Sequence, residues 1–208
     1  MQSLFPLPPI EPIAPDVVLL RQFADVAPLL AAIAAIDAQV PFHHLRTRGG
    51  LMSVAMTNCG QWGWHSDLRG YRYVDRDPVT DKPWPAMPNA FAELAQRAAD
   101  SGGFPGFQPD CCLINRYAVG AQMGVHRDFD ELDLRQPIVS VSIGLPAIFL
   151  WYGPARVGKP LRVPVVSGDV LVWGGSARTG YHAVRPIKAP SETTLDPFRY
   201  NLTFRRAK

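Results

Sequence analysis

Residues 167–175 read Ser-Gly-Asp-Val-Leu-Val-Trp-Gly-Gly, a pattern that indicates a fold rich in short strands. Four apolar residues, Val170 to Trp173, stand between a Ser-Gly pair and a Gly-Gly pair. A run this short with turn residues on both sides predicts a buried β-strand rather than a helix. With that strand included, similar patterns along the chain predict strands at 42–47, 52–58, 112–118, 137–144, 147–152, 161–166, 169–174, 182–187 and 199–205. We therefore expect a chain built mainly from short strands.

Two helices are predicted, both in the first half of the chain. The first is capped by Asp25 and runs to about Val40, with apolar residues at helical spacing. The second runs from Pro88 to Ala99 and ends at a Gly-Gly pair. Helices followed by many strands predict an α+β fold that is mainly β, a jelly roll or barrel backed by helices. A plain β-sandwich binding module would give the same pattern, and residues 1–15 are expected to be extended because they are rich in proline.

Composition predicts a single globular domain. The chain has 208 residues, of which 47% are hydrophobic and 19% are charged, and this balance excludes a disordered chain. The net charge of +3 is only mildly basic, so it does not by itself establish a nucleic-acid partner. The uncharged stretch 136–155 is interrupted by glycine, proline and serine, which favours two strands over a membrane helix. We expect no membrane partner and no obligate protein partner.

The cysteines and the N-terminus predict a cytoplasmic protein. Three cysteines are too few for a disulfide framework, and two of them, Cys111 and Cys112, are adjacent. The first basic residue is Arg21, so the chain start lacks the charged region of a signal peptide.

Two histidines and one aspartate predict a metal site. His126 and Asp128 are two residues apart, and in extended chain such side chains point the same way. This pair alone also occurs by chance as a surface histidine beside a turn aspartate. His182 opens another predicted strand and completes a 2-His-1-carboxylate set, which is typical of non-haem Fe(II) oxygenases with open coordination positions. A zinc hydrolase is a more distant alternative.

The C-terminal strand predicts an anion site. Residues 199–205 read Arg-Tyr-Asn-Leu-Thr-Phe-Arg, and alternation places Arg199, Asn201, Thr203 and Arg205 on one face. Buried guanidinium groups need anionic partners, and a dicarboxylic keto acid could chelate iron at one end and bind arginine at the other. Asn115 and Tyr117 share a face of another strand and could complete the pocket. The alternative is an edge strand whose polar face meets water.

These motifs together resemble the AlkB family of Fe(II)/2-oxoglutarate dioxygenases. The resemblance covers about residues 40–206 and rests on Asn115-x-Tyr117-x2-Gly120-x5-His126-x-Asp128, His182 and the strand from Arg199 to Arg205. It implies a double-stranded β-helix with an N-terminal extension and helix (1–40), a nucleotide-recognition lid (about 41–87) and a catalytic core (about 107–206). It also implies Fe(II) as cofactor, with 2-oxoglutarate and O2 as co-substrates.

The resemblance assigns roles residue by residue. Iron would be bound by His126, Asp128 and His182. The distal carboxylate of 2-oxoglutarate would pair with Arg199 beside Tyr117, and Asn115, Asn201 and Arg205 would complete that site. Trp64 and Tyr71 match aromatic residues of the base pocket, and Asp130 matches an acidic residue that faces the base. Arg156 is a candidate phosphate contact, although such a loop arginine is more often simply solvated.

Residues 41–76 independently suit a nucleic-acid partner. They contain five arginines against two aspartates, interleaved with the aromatic residues Phe42, Trp62, Trp64, Tyr71 and Tyr73. The alternative is a twisted hairpin with an aromatic core and a solvated charged face.

The predicted function is oxidative demethylation of N-alkylated bases such as 1-methyladenine and 3-methylcytosine, in DNA or RNA, with single-stranded DNA favoured. Decarboxylation of 2-oxoglutarate would be coupled to methyl hydroxylation and formaldehyde release. One alternative is an oxygenase with a protein or small-molecule substrate. Another is a non-catalytic binder of damaged nucleic acid, which would need neither the metal set nor the inward arginines.

Overall fold

Two antiparallel sheets face each other in the computed structural model, which describes residues 9–190 and 197–208. The helices are α1 (Val26–Gln39) and α2 (Asn89–Ser101), and a short 3-10 turn spans Gly175–Ala177. The strands are β1 (Ile10–Ala14), β2 (Val17–Leu20), β3 (His43–Thr47), β4 (Gly50–Gly60), β5 (Gly63–Asp67), β6 (Gly70–Val74), β7 (Cys111–Tyr117), β8 (Met123–His126), β9 (Ile138–Gly144), β10 (Ala147–Gly153), β11 (Leu161–Val165), β12 (Val170–Trp173), β13 (Tyr181–Val184) and β14 (Arg199–Arg205).

The strand order is that of a jelly roll. The large sheet has eight strands in the order β1-β2-β12-β9-β14-β7-β4-β3, and the small sheet has four in the order β11-β10-β13-β8. β14 lies in the middle of the large sheet, between β9 and β7. The alternative of a polar edge strand at 199–205 is therefore wrong, and the predicted α+β, mainly β jelly roll is confirmed.

Strand alternation separates an apolar layer from a polar interior. On β14, Leu202 and Phe204 pack towards the two helices, in a core that also holds Leu29, Ile33, Phe91 and Ala95. The intervening residues of β14 point the other way, into the space between the sheets. Because β14 is central, its inward side chains are buried however polar they are. The functional site lies in this interior.

Both predicted helices are present and cover the outer face of the large sheet. The Asp25 side chain accepts a hydrogen bond from the backbone N–H of Ala27, 3.3 Å away, as an N-cap does. α2 ends at Ser101, where Gly102 follows as the C-cap. A Cβ on Gly102 would lie 2.8 Å from Val172 of β12, so only glycine allows this close approach of helix end and sheet.

Five strands of the described residues were not predicted as strands from the sequence. β2 extends the large sheet and pairs with β12, and residues 10–14, predicted only to be extended along the surface or loosely ordered, form β1. β5 and β6 form a separate two-stranded sheet, and β8 is the outer strand of the small sheet. Each of these strands has only four or five residues, too few for a clear alternation pattern. Residues 1–8 of the predicted extended segment lie outside the described residues.

The predicted lid range contains two kinds of strand. β3 and β4 belong to the large sheet, whereas β5 and β6 pair only with each other and form a separate two-stranded sheet. The division into 1–40, 41–87 and 107–206 stays a prediction.

The uncharged stretch 136–155 contains the strands β9 and β10, as predicted. Within residues 9–190 and 197–208, neither helix has the length and apolar character needed to cross a membrane.

Candidate active site

A cavity of about 340 Å³ opens between the two sheets and beneath the β5–β6 hairpin. Eleven of the twelve predicted site residues line it: Trp64, Tyr71, Asn115, Tyr117, His126, Asp128, Asp130, His182, Arg199, Asn201 and Arg205. The remaining one, Arg156, does not. Residues separated by more than 130 positions in sequence therefore meet at one place.

Three possible metal ligands converge on the small-sheet side of the cavity. His126 ends β8 and His182 lies in β13, directly opposite each other in the antiparallel pairing. Asp128 follows two residues after His126, and one ligand atom from each of the three lies within 4.8 Å of the others. The Nε2 atom of His182 is 3.7 Å from Oδ2 of Asp128. Two imidazoles and one carboxylate on one side of a cavity form the donor set of a non-haem Fe(II) site.

Both histidines are oriented by backbone carbonyls. Nδ1 of His126 lies 2.8 Å from the carbonyl oxygen of Gly124, and Nδ1 of His182 lies 3.0 Å from that of Gly180. A carbonyl only accepts, so Nδ1 carries the proton and Nε2 keeps its lone pair for a metal. Burial, followed by the neighbouring His126, lowers the pKa of His182 to about 4, so His182 is neutral at physiological pH.

Asp128 is held as a carboxylate by Arg205. Nη2 of Arg205 is 3.0 Å from Oδ1 of Asp128. Burial alone would raise the pKa of Asp128, but Arg205 and the two histidines outweigh it and hold the pKa well below its usual range. Oδ2 of Asp128 is buried and has no hydrogen-bond partner in the described part of the chain. A buried carboxylate oxygen left without a partner beside two imidazole nitrogens fits a metal ion.

Opposite the metal ligands, Arg199 presents free donors to the cavity. Arg199 is only 2% exposed, and none of the described residues accepts a hydrogen bond from its Nε or Nη1. Its Nη2 donates to Oγ of Ser142 at 3.3 Å, and its guanidinium lies 4.8 Å from the ring centroid of Tyr117. Burial lowers the pKa of Arg199, which nevertheless stays a cation. A buried cation with two free N–H groups fits a carboxylate.

The side-chain amides of Asn115 and Asn201, on the same side of the cavity as Arg199, are partly used in hydrogen bonds within the protein. Nδ2 of Asn201 donates to Oγ of Ser140 at 2.8 Å and to the carbonyl of Val141 at 3.0 Å. Thr203 donates to Oδ1 of Asn201, and Oδ1 of Asn115 remains without a partner. The inward face predicted for β14 is present, with Arg199 as its free cation and Arg205 already paired.

A buried ionic network supports this site from behind. Glu131 accepts a hydrogen bond from the hydroxyl of Tyr73 at 2.5 Å and pairs with Nη2 of Arg178 at 3.0 Å. Nε of Arg205 lies 3.4 Å from the same carboxylate. Arg178 also donates to the carbonyl of Asp128 at 2.9 Å. The network therefore joins the β5–β6 hairpin, through Tyr73, to the loop that carries Asp128.

Trp64 and Tyr71 form an aromatic wall at the cavity mouth. Their rings are stacked, with centroids 5.3 Å apart. The buried amide of Asn58 holds Trp64 from β4, since it accepts from the Trp64 N–H at 3.0 Å and donates to the Trp64 carbonyl at 3.2 Å. The indole N–H donates to Asp130 at 3.2 Å. Burial raises the pKa of Asp130, and the hydrogen bond from Trp64 offsets part of that shift.

The basic residues of 41–76 divide into two groups. Arg72 pairs with Asp67 at 2.7 Å, and Arg76 pairs with Asp81 at 3.2 Å. The other three, Arg46, Arg48 and Arg69, are exposed and form no ion pair within the described part of the chain. The surplus positive charge of this region is therefore available to solvent.

Four supporting residues were missed by sequence reasoning as parts of the site: Asn58, Tyr73, Glu131 and Arg178. Tyr73 was noted only as one of several aromatic residues. Arg178 and Glu131 are 47 positions apart, so no local pattern links them. Only the pairing of distant elements brings these groups together.

Comparison with known proteins identifies the family. Residues 16–205 match the model of the 2OG-Fe(II) oxygenase superfamily. The chain is 52% identical over 200 residues to the alpha-ketoglutarate-dependent dioxygenase AlkB of Escherichia coli K12, and equally to that of Salmonella typhimurium LT2, covering 95% of this chain and 93% of each relative. The solved structure of OsALKBH1 superimposes with a TM-score of 0.81 at 28% identity, covering 95% of this chain and all of that one. The chain belongs to the AlkB family of Fe(II)- and 2-oxoglutarate-dependent dioxygenases.

Proposed function

We propose that this dioxygenase oxidatively demethylates N-alkylated bases such as 1-methyladenine and 3-methylcytosine, with single-stranded DNA as the favoured substrate. The observation that carries the proposal is that one cavity combines three groups: a complete metal-ligand set, a buried arginine with free donors and an aromatic wall beside a carboxylate. The AlkB relatives are named dioxygenases, and a relative in Arabidopsis thaliana, 36% identical over 170 residues, is named a DNA N(6)-methyladenine demethylase.

The donor groups fit the cofactor and co-substrate of the superfamily. The enzyme uses Fe(II), 2-oxoglutarate and O2. His126 and His182 would bind iron through Nε2, and Asp128 through Oδ2, because among the described residues none of these atoms has a hydrogen-bond partner. Arg199 would bind the distal carboxylate of 2-oxoglutarate through its free Nε and Nη1. Arg205 would orient Asp128, to which it is paired, and together with Asn115 and Asn201 would complete the 2-oxoglutarate site.

The cofactor supplies the difficult chemistry: 2-oxoglutarate is decarboxylated to succinate while the N-methyl group is hydroxylated, and the hydroxymethyl product releases formaldehyde. The protein supplies orientation and exclusion of water. Arg199, Tyr117 and the helix-backed β14 form a rigid, buried wall, so a ligand bound there has one orientation. Glu131 and Arg178 fix the loop that carries Asp128.

Base recognition would use the cavity mouth. A methylated adenine or cytosine carries positive charge near neutral pH, and its flat face suits stacking on Trp64. Asp130 lies within hydrogen-bond distance of the Trp64 indole, so a base stacked there meets a carboxylate. A cationic base would lower the pKa of Asp130 back towards its ordinary value. The pocket would therefore favour cationic lesions over neutral bases.

Single-stranded DNA is favoured by the exposed charges. Among residues 9–190 and 197–208, no carboxylate pairs with Arg46, Arg48 or Arg69, and these arginines lie in the segments that flank the aromatic wall. A base in a single strand enters a pocket without the cost of unpairing. The cytoplasm is the proposed compartment, because the three cysteines are all free and buried.

The test is formaldehyde release from a single-stranded oligonucleotide with and without a 1-methyladenine, in the presence of Fe(II) and 2-oxoglutarate. We expect release from the methylated strand only. His126→Ala, Asp128→Ala and His182→Ala should each abolish turnover with the fold retained. His44→Ala serves as the matched control, because His44 is exposed and lies outside the cavity. Equal release from both strands, or full activity of a ligand variant at saturating iron, would contradict the proposal.

A further inference from the structure

His182, the candidate metal ligand of β13, packs beside the indole of Trp151. Trp151 of β10 is directly opposite His182 in the antiparallel pairing, so the two side chains project from the same face of the small sheet. Their rings are stacked, with centroids 6.4 Å apart and planes at 18°. Trp151 is 4% exposed, belongs to the apolar core between the sheets and does not line the cavity. It therefore supports His182 from the core side.

Trp151 also covers the backbone of Gly180, two residues before His182. A Cβ on Gly180 would overlap Cη2 of the indole and lie 2.5 Å from its Cζ2. The indole thus fills the space that any larger residue at position 180 would need. Gly180 does not have a positive φ, so its backbone conformation does not by itself require glycine. The close approach of the indole is what requires it.

Gly180 in turn orients the imidazole of His182. The carbonyl oxygen of Gly180 lies 3.0 Å from Nδ1 of His182 and accepts its proton, which leaves Nε2 for a metal. The rotation of the imidazole therefore depends on where this carbonyl lies, and the indole packs on the residue that carries it. Partners that hold the second nitrogen of a metal-bound histidine commonly change metal affinity by about 10–100-fold.

The support from an indole is specific to one of the two histidines. Gly124 accepts a hydrogen bond from Nδ1 of His126 in the same way, 2.8 Å away. Among the described residues beyond its chain neighbours, however, no heavy atom lies within 4 Å of the place where a Cβ on Gly124 would be. A glycine carbonyl that orients a histidine is therefore common to both sites, and the aromatic cover is present only at His182.

We propose that Trp151 is a positioning residue of the metal centre: packed on Gly180, it fixes the carbonyl group that orients His182, so that Nε2 points at the metal ion. Trp151 acts through Gly180 and touches neither the metal nor the substrate. This rests on the proposed function, because it takes His182 as a metal ligand.

The experiment measures binding of Co(II) to the metal-free protein, without 2-oxoglutarate and without nucleic acid. Calorimetry gives the affinity, and the visible absorption of the bound ion reports the geometry of its ligands. Trp151→Phe keeps an aromatic ring on β10, but the shorter ring no longer reaches the backbone of Gly180. We expect the affinity for Co(II) to fall about tenfold or more and the absorption band of the bound ion to shift.

Trp84→Phe is the matched control, because Trp84 is also a buried indole packed on a glycine. A Cβ on Gly63 would overlap Cε2 of Trp84 and lie 2.6 Å from its Cζ2, and Trp84 does not line the cavity. Both substitutions should lower Tm, since each removes part of a buried side chain. Only Trp151→Phe should weaken Co(II) binding. Wild-type Co(II) affinity in Trp151→Phe, or an equal loss in Trp84→Phe, would overturn the proposal.

Gly180→Ala tests the same contact from the other side. The added methyl group has no room beside the indole, so this substitution should weaken Co(II) binding in the otherwise wild-type protein. In Trp151→Phe the methyl group has room, and adding Gly180→Ala should cost much less affinity. Equal losses in the two backgrounds would contradict the role of the contact. If Gly180→Ala alone does not fold, the comparison of Trp151→Phe with Trp84→Phe decides.

His182→Ala separates failure of this inference from failure of the proposed function. If His182→Ala binds Co(II) as tightly as the wild type, the proposed metal centre is wrong, and the positioning role is wrong with it. If His182→Ala loses Co(II) binding while Trp151→Phe keeps the wild-type affinity and absorption band, the metal centre stands and only the role of Trp151 is wrong.

Discussion

Glu131→Gln should destabilise the enzyme strongly although Glu131 is not expected to touch substrate or metal. The Glu131 side chain is 1% exposed and interacts with Tyr73, Arg178 and Arg205. Glutamine keeps the shape of the side chain but removes its charge. The buried guanidinium groups of Arg178 and Arg205 then lose one of their anionic partners. Removing one partner of a buried ion pair costs about 3–5 kcal/mol. The lower end applies, because Arg178 keeps two carbonyl acceptors and Arg205 keeps Asp128.

A cost of about 3 kcal/mol corresponds to a drop in Tm of about 6–12 °C for a chain of this size. The assay is calorimetry or chemical denaturation of the iron-free protein, so that metal binding does not contribute. Glu93→Gln is the matched control, because Glu93 is exposed on α2 and should leave Tm unchanged. If Glu131→Gln melts within about 2 °C of the wild type, the network contributes no net stability and the reasoning fails.

The remaining predictions concern ligands. Arg199→Ala should weaken 2-oxoglutarate binding by about 2–5 kcal/mol, since it leaves a buried carboxylate of the ligand unpaired. Arg199→Lys should recover little of that affinity, because an ammonium group cannot form the two parallel hydrogen bonds of a guanidinium. The measurement is a titration with 2-oxoglutarate, and an unchanged affinity would contradict the role of Arg199 as its carboxylate ligand. Trp64→Ala should weaken binding of a methylated oligonucleotide by about 1–3 kcal/mol without affecting 2-oxoglutarate binding. Equal losses of affinity for both ligands together with a much lower Tm would mean that Trp64 is only a core residue. Raising salt should weaken oligonucleotide binding, and Arg69→Gln should reduce that salt dependence if Arg69 contacts a phosphate.

Local alternation predicted the parts of the site that lie within single strands. The period of two placed Arg199, Asn201, Thr203 and Arg205 on one face, and these residues do share the cavity. The same rule predicted that His126 and Asp128 would point together. These predictions succeed because the side-chain direction in an extended chain depends only on the backbone.

Contacts between strands could not be predicted in the same way. Nothing local indicates that His182 pairs directly with His126 across the small sheet, or that Asn58 holds the backbone of Trp64. Strand pairing depends on the topology of the whole sheet. The pairing of Arg205 with Asp128 was also not predicted, since the sequence alone indicated only that a buried arginine needs an anion.

Arg156 shows the limit of reasoning from residue type. Its charge and loop position suggested a phosphate contact, but the side chain lies outside the cavity, over the ring of Tyr181. Its role as a phosphate contact stays a prediction.

The most direct test of the central claim counts products for each repaired base. A single-stranded oligonucleotide with one 1-methyladenine is incubated with the enzyme, Fe(II), 2-oxoglutarate and O2, and succinate, formaldehyde and the mass of the strand are measured together. We expect one succinate and one formaldehyde for every methyl group lost, and no repair when 2-oxoglutarate is omitted. Succinate formation with an unchanged methylated strand, or repair without 2-oxoglutarate, would contradict it.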